Sequence, residues 1–262
     1  MKFVPIDPPG QWCYYEAIYE VINTWGRGAR TFIEVGVGAG VLSRQLCDWG
    51  YDGLGIDFSK EATALAQHAM ASHLAAGRYR LIEDDLFNVQ ADGRRYSLGL
   101  SMLVMEHVAD DVGFVRRIAE FVEPGGLVIV AVPGRRDRWG IEDETVGHLR
   151  RYDRADLERV LSEAGLSDVQ VWSVAVPVAN LLYHAGNLLV RLSGETRKTQ
   201  LSKVDQTKTS GIREIPFKTV FPSWFKLLLN RTTLFPLFVL QRLFYGTNLG
   251  VTMVAFGRKD AV

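Results

Sequence analysis

A mostly parallel α/β sheet of seven strands, with helices on both faces and a helical insertion before the last strand, is the fold this 262-residue sequence predicts. Three observations predict it. Short apolar runs alternate with helical stretches at the spacing of βαβ units. The first run closes in a glycine-rich turn that opens a helix. After residue 176 the alternation stops for roughly 70 residues, far beyond an ordinary connection, before one last strand-like run. With 47% hydrophobic and 23% charged residues, collagen, coiled coil and disorder are excluded.

Strands are predicted at residues 31–35 (Thr-Phe-Ile-Glu-Val), 53–57, 79–83, 97–102, 126–132 and 168–174. The helix after Asp57 has Ser59 as its cap and Glu61 in its positive first turn; Ala62, Leu65, Ala66, Ala69 and Met70 form its apolar face, and Gly77 ends it. A helix at 154–165 starts from Asp153 and stops at Gly165. In such a sheet ligands bind beyond the carboxyl ends of the strands, where the strand order reverses. Residues 177–192 read as an apolar helix, 193–216 as a polar, basic, mobile loop, 221–245 as one or two aromatic-rich helices and 247–258 as the last strand. The chain therefore divides into a core of residues 1–176, an insertion of 177–246 and a closing strand segment of 247–262.

The formal net charge of zero is a sum of opposites. Residues 1–176 carry 18 basic and 26 acidic side chains, residues 177–246 carry 10 and 3, and the remainder 2 and 1. Two cysteines, Cys13 and Cys47, make no disulfide framework, and residues 1–9 lack the apolar core of a signal peptide, so a reducing cytoplasm is expected. No run reaches the roughly 18 apolar residues that span a bilayer.

The sharpest local signal is Phe32-Ile33-Glu34-Val35-Gly36-Val37-Gly38-Ala39-Gly40. Glycines let the backbone turn tightly and let a ligand lie against main-chain N–H groups at a helix start. The dinucleotide pattern G-x-G-x-x-G would place its third glycine at position 41, which is Val41. Glu34, two places before Gly36, would repel a pyrophosphate and suit a ligand with a cationic sulfonium or ammonium group.

On these residues the sequence resembles the class I S-adenosylmethionine-dependent methyltransferases, whose first motif is E/D-x-G-x-G-x-G. The resemblance implies a Rossmann-like fold and S-adenosyl-L-methionine as cofactor. It implies that Glu34, Gly36, Gly38 and Gly40 form the cofactor loop, that Asp57 holds the ribose hydroxyls and that Phe58 packs on the adenine. Asp85-Leu86 matches the third motif, where the carboxylate accepts from the adenine amino group and the next backbone N–H reaches the ring. Residues 101–108, starting at Ser101, resemble the fourth-strand motif, and 121–126 the turn into the fifth strand. Ser97 departs from the family, which often has Asp there.

Methyl transfer needs alignment and exclusion of water, and a base only where the acceptor has a proton to lose. His107, after the fourth strand, is a candidate base or a residue tying Glu106 and its turn in place. His68 and His73 fall on a helix away from the strand ends. Gly147-His148-Leu149-Arg150-Arg151-Tyr152 resembles a G-H-x-R-R-Y element of a subgroup frequent in bacterial glycan and natural-product pathways. It makes His148 and Tyr152 catalytic candidates and Arg151 an acceptor-binding one, or else belongs to a lid whose arginines pair with Glu142, Asp143 and Glu144. Trp12 and Tyr15, in an aromatic cluster that covers the cofactor in the same subgroup, are acceptor-site walls or core. The insertion reads as a substrate-capping element, as an interfacial element meeting anionic lipid, or as a plain helical cap. No nucleic-acid module is recognisable.

The expected function is therefore S-adenosylmethionine-dependent methylation of a small molecule or a carrier-linked glycan or lipid. The alternatives are an enzyme that cyclises the cofactor's aminobutyrate arm and a nicotinamide-dependent oxidoreductase.

Overall fold

The computed structural model describes residues 3–194, 199–200, 202–203, 206–207 and 215–260, so much of the loop expected at 193–216 lies outside the described residues. The first half of the chain runs β1 (Phe3–Pro5), α1 (Pro9–Trp25), β2 (Thr31–Val35), α2 (Val41–Asp48), β3 (Asp52–Asp57), α3 (Lys60–Ala69), α4 (Ala71–Ala75), β4 (Tyr79–Glu83), β5 (Tyr96–Met102) and α5 (Asp111–Phe121). There follow β6 (Val122–Pro133), α6 (Ile141–Val146), α7 (Arg154–Glu163), β7 (Leu166–Val174), α8 (Val178–Leu192), β8 (Val220–Pro222), α9 (Arg231–Gln241) and β9 (Thr252–Lys259).

Two compact units divide these elements. One comprises Val21–Val132, Ala155–Gln170 and Ala255–Val262; the other comprises Met1–Glu20, Pro133–Arg154 and Val171–Val254. The first unit is built on a seven-stranded sheet in the order β4-β3-β2-β5-β6-β9-β7. The pairs β2–β3, β3–β4, β2–β5 and β5–β6 are parallel, with Val35 beside Ile56 on one side and Ser101 on the other. The order reverses between β2 and β5, which puts the carboxyl ends of those strands at the switch point.

Parallel strands covered on both faces read as near-continuous apolar runs, and β6 is buried without a break from Gly126 to Pro133. Close packing explains Gly99 of β5: a Cβ there would stand 2.8 Å from Ile118 Cγ2 of α5. Asp110 caps α5 by accepting from the Gly113 N–H at 2.8 Å. Ser59 caps α3 by accepting from the Ala62 N–H, as expected.

The expected apolar face of α3 needs one correction. Leu65 is exposed, and the buried side is Ala62, Thr63, Ala66 and Met70. Thr63 fits inside because its hydroxyl bonds to the Ser59 and Lys60 carbonyls and to Glu83. The helix also ends at Ala69, and the separate turn of α4 continues to Gly77, whose φ of 68° is the left-handed stop.

In the second unit, Cys13 of α1, Ala175, and Leu234 and Phe238 of α9 form a buried apolar cluster, with Trp12, Ala179 and Leu237 packed on it. Buried Gln241 joins the same elements: it donates to the Cys13 carbonyl and accepts from the Ala175 N–H, both at 2.9 Å. The expected helices at 221–245 are only partly found. Residues 220–222 are a strand, β8, antiparallel to β1, with Val4 opposite Phe221; a 3-10 turn (Ser223–Leu227) and then α9 follow. Phe221 and Pro222 suit an extended edge, and Asn230 restarts the helix by accepting from the Thr232 and Thr233 N–H groups.

Candidate active site

The glycine loop leaves β2 at the switch point. Gly36, Gly38 and Gly40 have φ values of 80°, 55° and 79°, all in the left-handed region that glycine occupies without strain. At Gly36 a Cβ would lie 2.2 Å from Val104 Cγ2, whereas at Gly38 a Cβ would meet nothing within 4 Å. The loop is thus tight on its protein side at Gly36 and open at Gly38. Gly40 carries no capping side chain for α2, which leaves the helix start without a competing side-chain acceptor.

Asp57, the last residue of β3, organises this loop. Its Oδ2 accepts from the Gly38 N–H and its Oδ1 from the Ser59 N–H, both at 2.9 Å. Burial raises the carboxyl above the usual carboxylate range, against the pull of those two N–H groups. Each oxygen keeps a second lone pair, so the group can still accept from a pair of hydroxyls.

Glu34 is buried one layer deeper. The Ser43 hydroxyl, in the first turn of α2, donates to Glu34 Oε2 and shares a 2.9 Å hydrogen bond with the Tyr79 hydroxyl from β4. Burial pushes the Glu34 carboxyl up to about 8, the Ser43 bond opposing and the Asp57 carboxylate adding to the rise. The sequence reading singled out Glu34 and Asp57 but missed Ser43 and Tyr79. Ser43 had a weak signal, a hydroxyl three residues after the last glycine; Tyr79, 36 residues further along the chain, had none.

The neighbouring strand ends hold the other expected residues of this unit. Asp85 and Phe58 are exposed and Leu86 is buried; Asp85 Oδ1 accepts from the Phe87 N–H at 2.9 Å, and Asp84 Oδ1 from the Asp85 N–H at 2.7 Å. Ser101 is buried, and its hydroxyl donates to the Val35 carbonyl at 3.1 Å, stitching β5 to β2. His107 is half-buried on a 3-10 turn (Met105–His107), and its N–H donates to the Val104 carbonyl at 2.9 Å. Leu103, between that turn and β5, was not anticipated. It holds φ at 59°, uncommon for a branched side chain, and is 45% exposed. Phe58, Phe87 and Leu103 are therefore apolar side chains in water at the ends of three strands, where a flat apolar ligand surface would cover them.

In the other unit Asp143 is the hub. It is fully buried, and its Oδ1 meets His148 Nδ1 at 2.7 Å and Arg151 Nε at 2.8 Å, while Oδ2 accepts from the Gly140 N–H at 2.8 Å. Burial pushes this carboxyl up, but His148 and Arg151 outweigh it and hold it below the usual range. Arg151 also donates to the Gly134 carbonyl, and its guanidinium stands 5.5 Å from the Tyr183 ring. Tyr152 is almost completely buried; its backbone bonds on both sides, to Pro133 and Arg135. Trp12 packs on the Cys13 cluster, and its Nε1 finds no hydrogen-bond partner among the described residues. Tyr15 is half-buried between Tyr14 and Tyr19.

The set of residues at the β2, β3, β4 and β5 ends fits S-adenosylmethionine. Gly38 opens onto space, Asp57 can accept from a diol, three apolar side chains await cover, and Glu34 is a buried acid below the loop.

A family profile described as a methyltransferase domain matches residues 13–171. Among curated proteins, the chain is 31% identical over 107 residues to a ubiquinone biosynthesis O-methyltransferase of Leptothrix cholodnii, covering 40% of this chain and 45% of the relative. It is 36% identical over 110 residues to the same-named enzyme of Bradyrhizobium diazoefficiens, covering 41% and 42%. The chain spans less than half the length of these relatives. Among solved structures, phosphoethanolamine N-methyltransferase 2 of Haemonchus contortus, bound to S-adenosyl-L-methionine, aligns with a TM-score of 0.57 at 15% identity, over 94% of this chain and 53% of that one. The cyclase SpnF aligns with a TM-score of 0.55 at 14% identity, over 94% and 82%. These two likenesses are of fold.

Proposed function

The chain belongs to the methyltransferase-domain family, and from that premise we propose that it uses S-adenosylmethionine to methylate a hydroxyl group of a small molecule or of a lipid- or glycan-linked acceptor. The observation that carries this reading is the tie between Gly38 and Asp57, which fixes an open glycine turn beside a buried diol acceptor at the switch point of the sheet. The cofactor supplies a methyl carbon already activated by a sulfonium. Asp57 is proposed to hold its ribose hydroxyls, Phe58 to pack on its adenine, and Asp85 and the Leu86 N–H to read the adenine edge. Glu34, anchored by Ser43, is proposed to support the loop from below, and Ser101 keeps β2 and β5 in register beneath it.

An oxygen acceptor is favoured by the O-methyltransferase relatives, and a hydroxyl must lose a proton as it is methylated. His148 is the proposed base. Asp143 accepts from Nδ1 and so orients the ring, and Nε2 is the nitrogen proposed to receive the proton. Asp143 is then a positioning residue, and Arg151 and Tyr152 hold the loop that presents the histidine. His107 is the alternative base. The insertion, with Trp12 and Tyr15 beside it in the same unit, is proposed to select the acceptor.

Calorimetry tests the cofactor: S-adenosylhomocysteine is expected to bind and NAD to give no heat, and the reverse would make the protein a nicotinamide enzyme. Mass spectrometry of acceptor panels incubated with the protein and S-adenosylmethionine tests the reaction. A methylated acceptor with S-adenosylhomocysteine is expected. Methylthioadenosine formed without any acceptor would instead assign cyclisation of the aminobutyrate arm.

A further inference from the structure

The unit that contains the insertion leaves an unusual amount of large apolar surface in water. On α8 the residues Leu181, Ala185, Leu188 and Leu192 follow one another at helical spacing and are all exposed, the three leucines by 77%, 55% and 74%. On α9 the same spacing gives Phe235 and Val239, and Leu243 of the 3-10 turn that follows continues it, exposed by 77%. α9 buries its other side, with Leu234 and Phe238 in the Cys13 cluster, whereas α8 rests Ala179 on that cluster and buries only Val190. Trp224, Leu227 and Leu228, just before α9, are exposed as well. An ordinary helical cap turns its apolar stripe inward; α9 has one stripe inside and a second outside, and the leucine stripe of α8 is outside.

The segment that carries these stripes is predominantly basic. Residues 177–246 hold 10 basic and 3 acidic side chains. Arg191 lies next to Leu188 and Leu192, Lys226 next to Leu227, and Arg231 and Arg242 bracket the outer stripe of α9. Arg231 and Arg242 reach back to Glu16 and Glu20 of α1, yet their side chains stay 67% and 56% exposed. A second copy of the chain is a poor occupant, because a two-fold axis through this face would set the same cations against each other. No helix among the described residues is long and apolar enough to cross a membrane.

We propose that this face docks on an anionic lipid bilayer, with the outer stripes of α8 and α9 entering the headgroup boundary and Arg191, Lys226, Arg231 and Arg242 meeting lipid phosphates. Docking is independent of the proposed methyl transfer and is read without turnover. The test is flotation of the full chain with vesicles of phosphatidylcholine alone or with about 30 mol % phosphatidylglycerol. Binding to the anionic vesicles is expected to exceed binding to neutral ones by about tenfold and to weaken as salt rises. Leu188→Glu with Leu192→Glu should reduce it by about tenfold or more, as should Arg191→Ala with Lys226→Ala. All of these variants should keep the wild-type melting temperature and S-adenosylhomocysteine affinity, because none of the four residues lies in the core or at the glycine loop. Absence of flotation, equal binding to both vesicles, or full binding by the leucine variant would overturn the proposal. A dimer in light scattering that Leu188→Glu with Leu192→Glu dissociates would give the face to a second copy and overturn it too.

Discussion

Glu34 is the residue at which burial and chemistry meet. In the unfolded chain its carboxyl titrates near 4.5, whereas burial in the folded protein moves it to about 8. Between those values the folded state holds the extra proton, so this contribution to stability is fully present below about pH 4.5 and is lost as pH rises through 8. Stability should therefore fall over that window by up to about 1.4 kcal/mol per pH unit, which is read as a falling melting temperature. Glu34→Gln, which keeps an acceptor for Ser43, should flatten the slope; an unchanged pH profile would mean that Glu34 is ionised in the folded protein. Asp57→Ala removes two charge-assisted hydrogen bonds from the Gly38 and Ser59 N–H groups, and should weaken S-adenosylhomocysteine binding by at least about tenfold in calorimetry. Wild-type affinity in that variant would place the ribose elsewhere. Asp143→Asn should lower kcat by about a hundredfold, with little change in KM or in cofactor affinity. A loss confined to KM would make Asp143 a scaffold residue alone.

The element that decides the cofactor site is the turn between β2 and α2, and its three glycines are not equivalent. Gly36 is pressed against Val104, so Gly36→Ala needs both a strained φ and a displaced neighbour, and should lower the melting temperature of the ligand-free protein. Gly38 faces open space, so Gly38→Ala should cost only about 1 kcal/mol, the usual penalty for a left-handed alanine, while S-adenosylhomocysteine affinity falls by a larger factor. Equal loss of stability and affinity in Gly38→Ala would mean that no ligand lies against that Cα. The strand order gives this turn its setting. β2 is paired on one side with β3 and on the other with β5, so Asp57 reaches the loop from one neighbour while Ser101 braces the base of it from the other.

Over the whole molecule, charge and burial divide along similar lines. The acid-rich first 176 residues contain the sheet's central strands and the glycine loop, and the basic excess belongs to 177–246, where the apolar stripes of α8 and α9 stand in water. Hydrogen exchange with and without S-adenosylhomocysteine checks this division. Protection is expected at residues 36–40, 57–59 and 85–87 and not in β8 or α9. Protection confined to 220–245 would move the cofactor to the other unit.

Much of this was legible in the sequence, because it depends on neighbours along the chain. Parallel strands buried on both faces must be short and apolar, and a strand-to-helix turn that exposes its N–H groups must be glycine-rich, so β2 to β6, the loop at 36–40 and the Ser59 cap could be read locally. Sequence also isolated Glu34 and Asp57 as acids at strand ends. The tertiary structure alone decided what those acids touch: Glu34 meets Ser43 and Tyr79, and Asp143 gathers His148 and Arg151. It also turned Leu65 outward, paired β8 with β1, left the leucine stripe of α8 in water, and placed one apolar stripe of α9 inside and the other in water. Helical periodicity reports that a stripe exists, but which stripe is buried depends on what packs against it, and those partners come from residues far away in the chain.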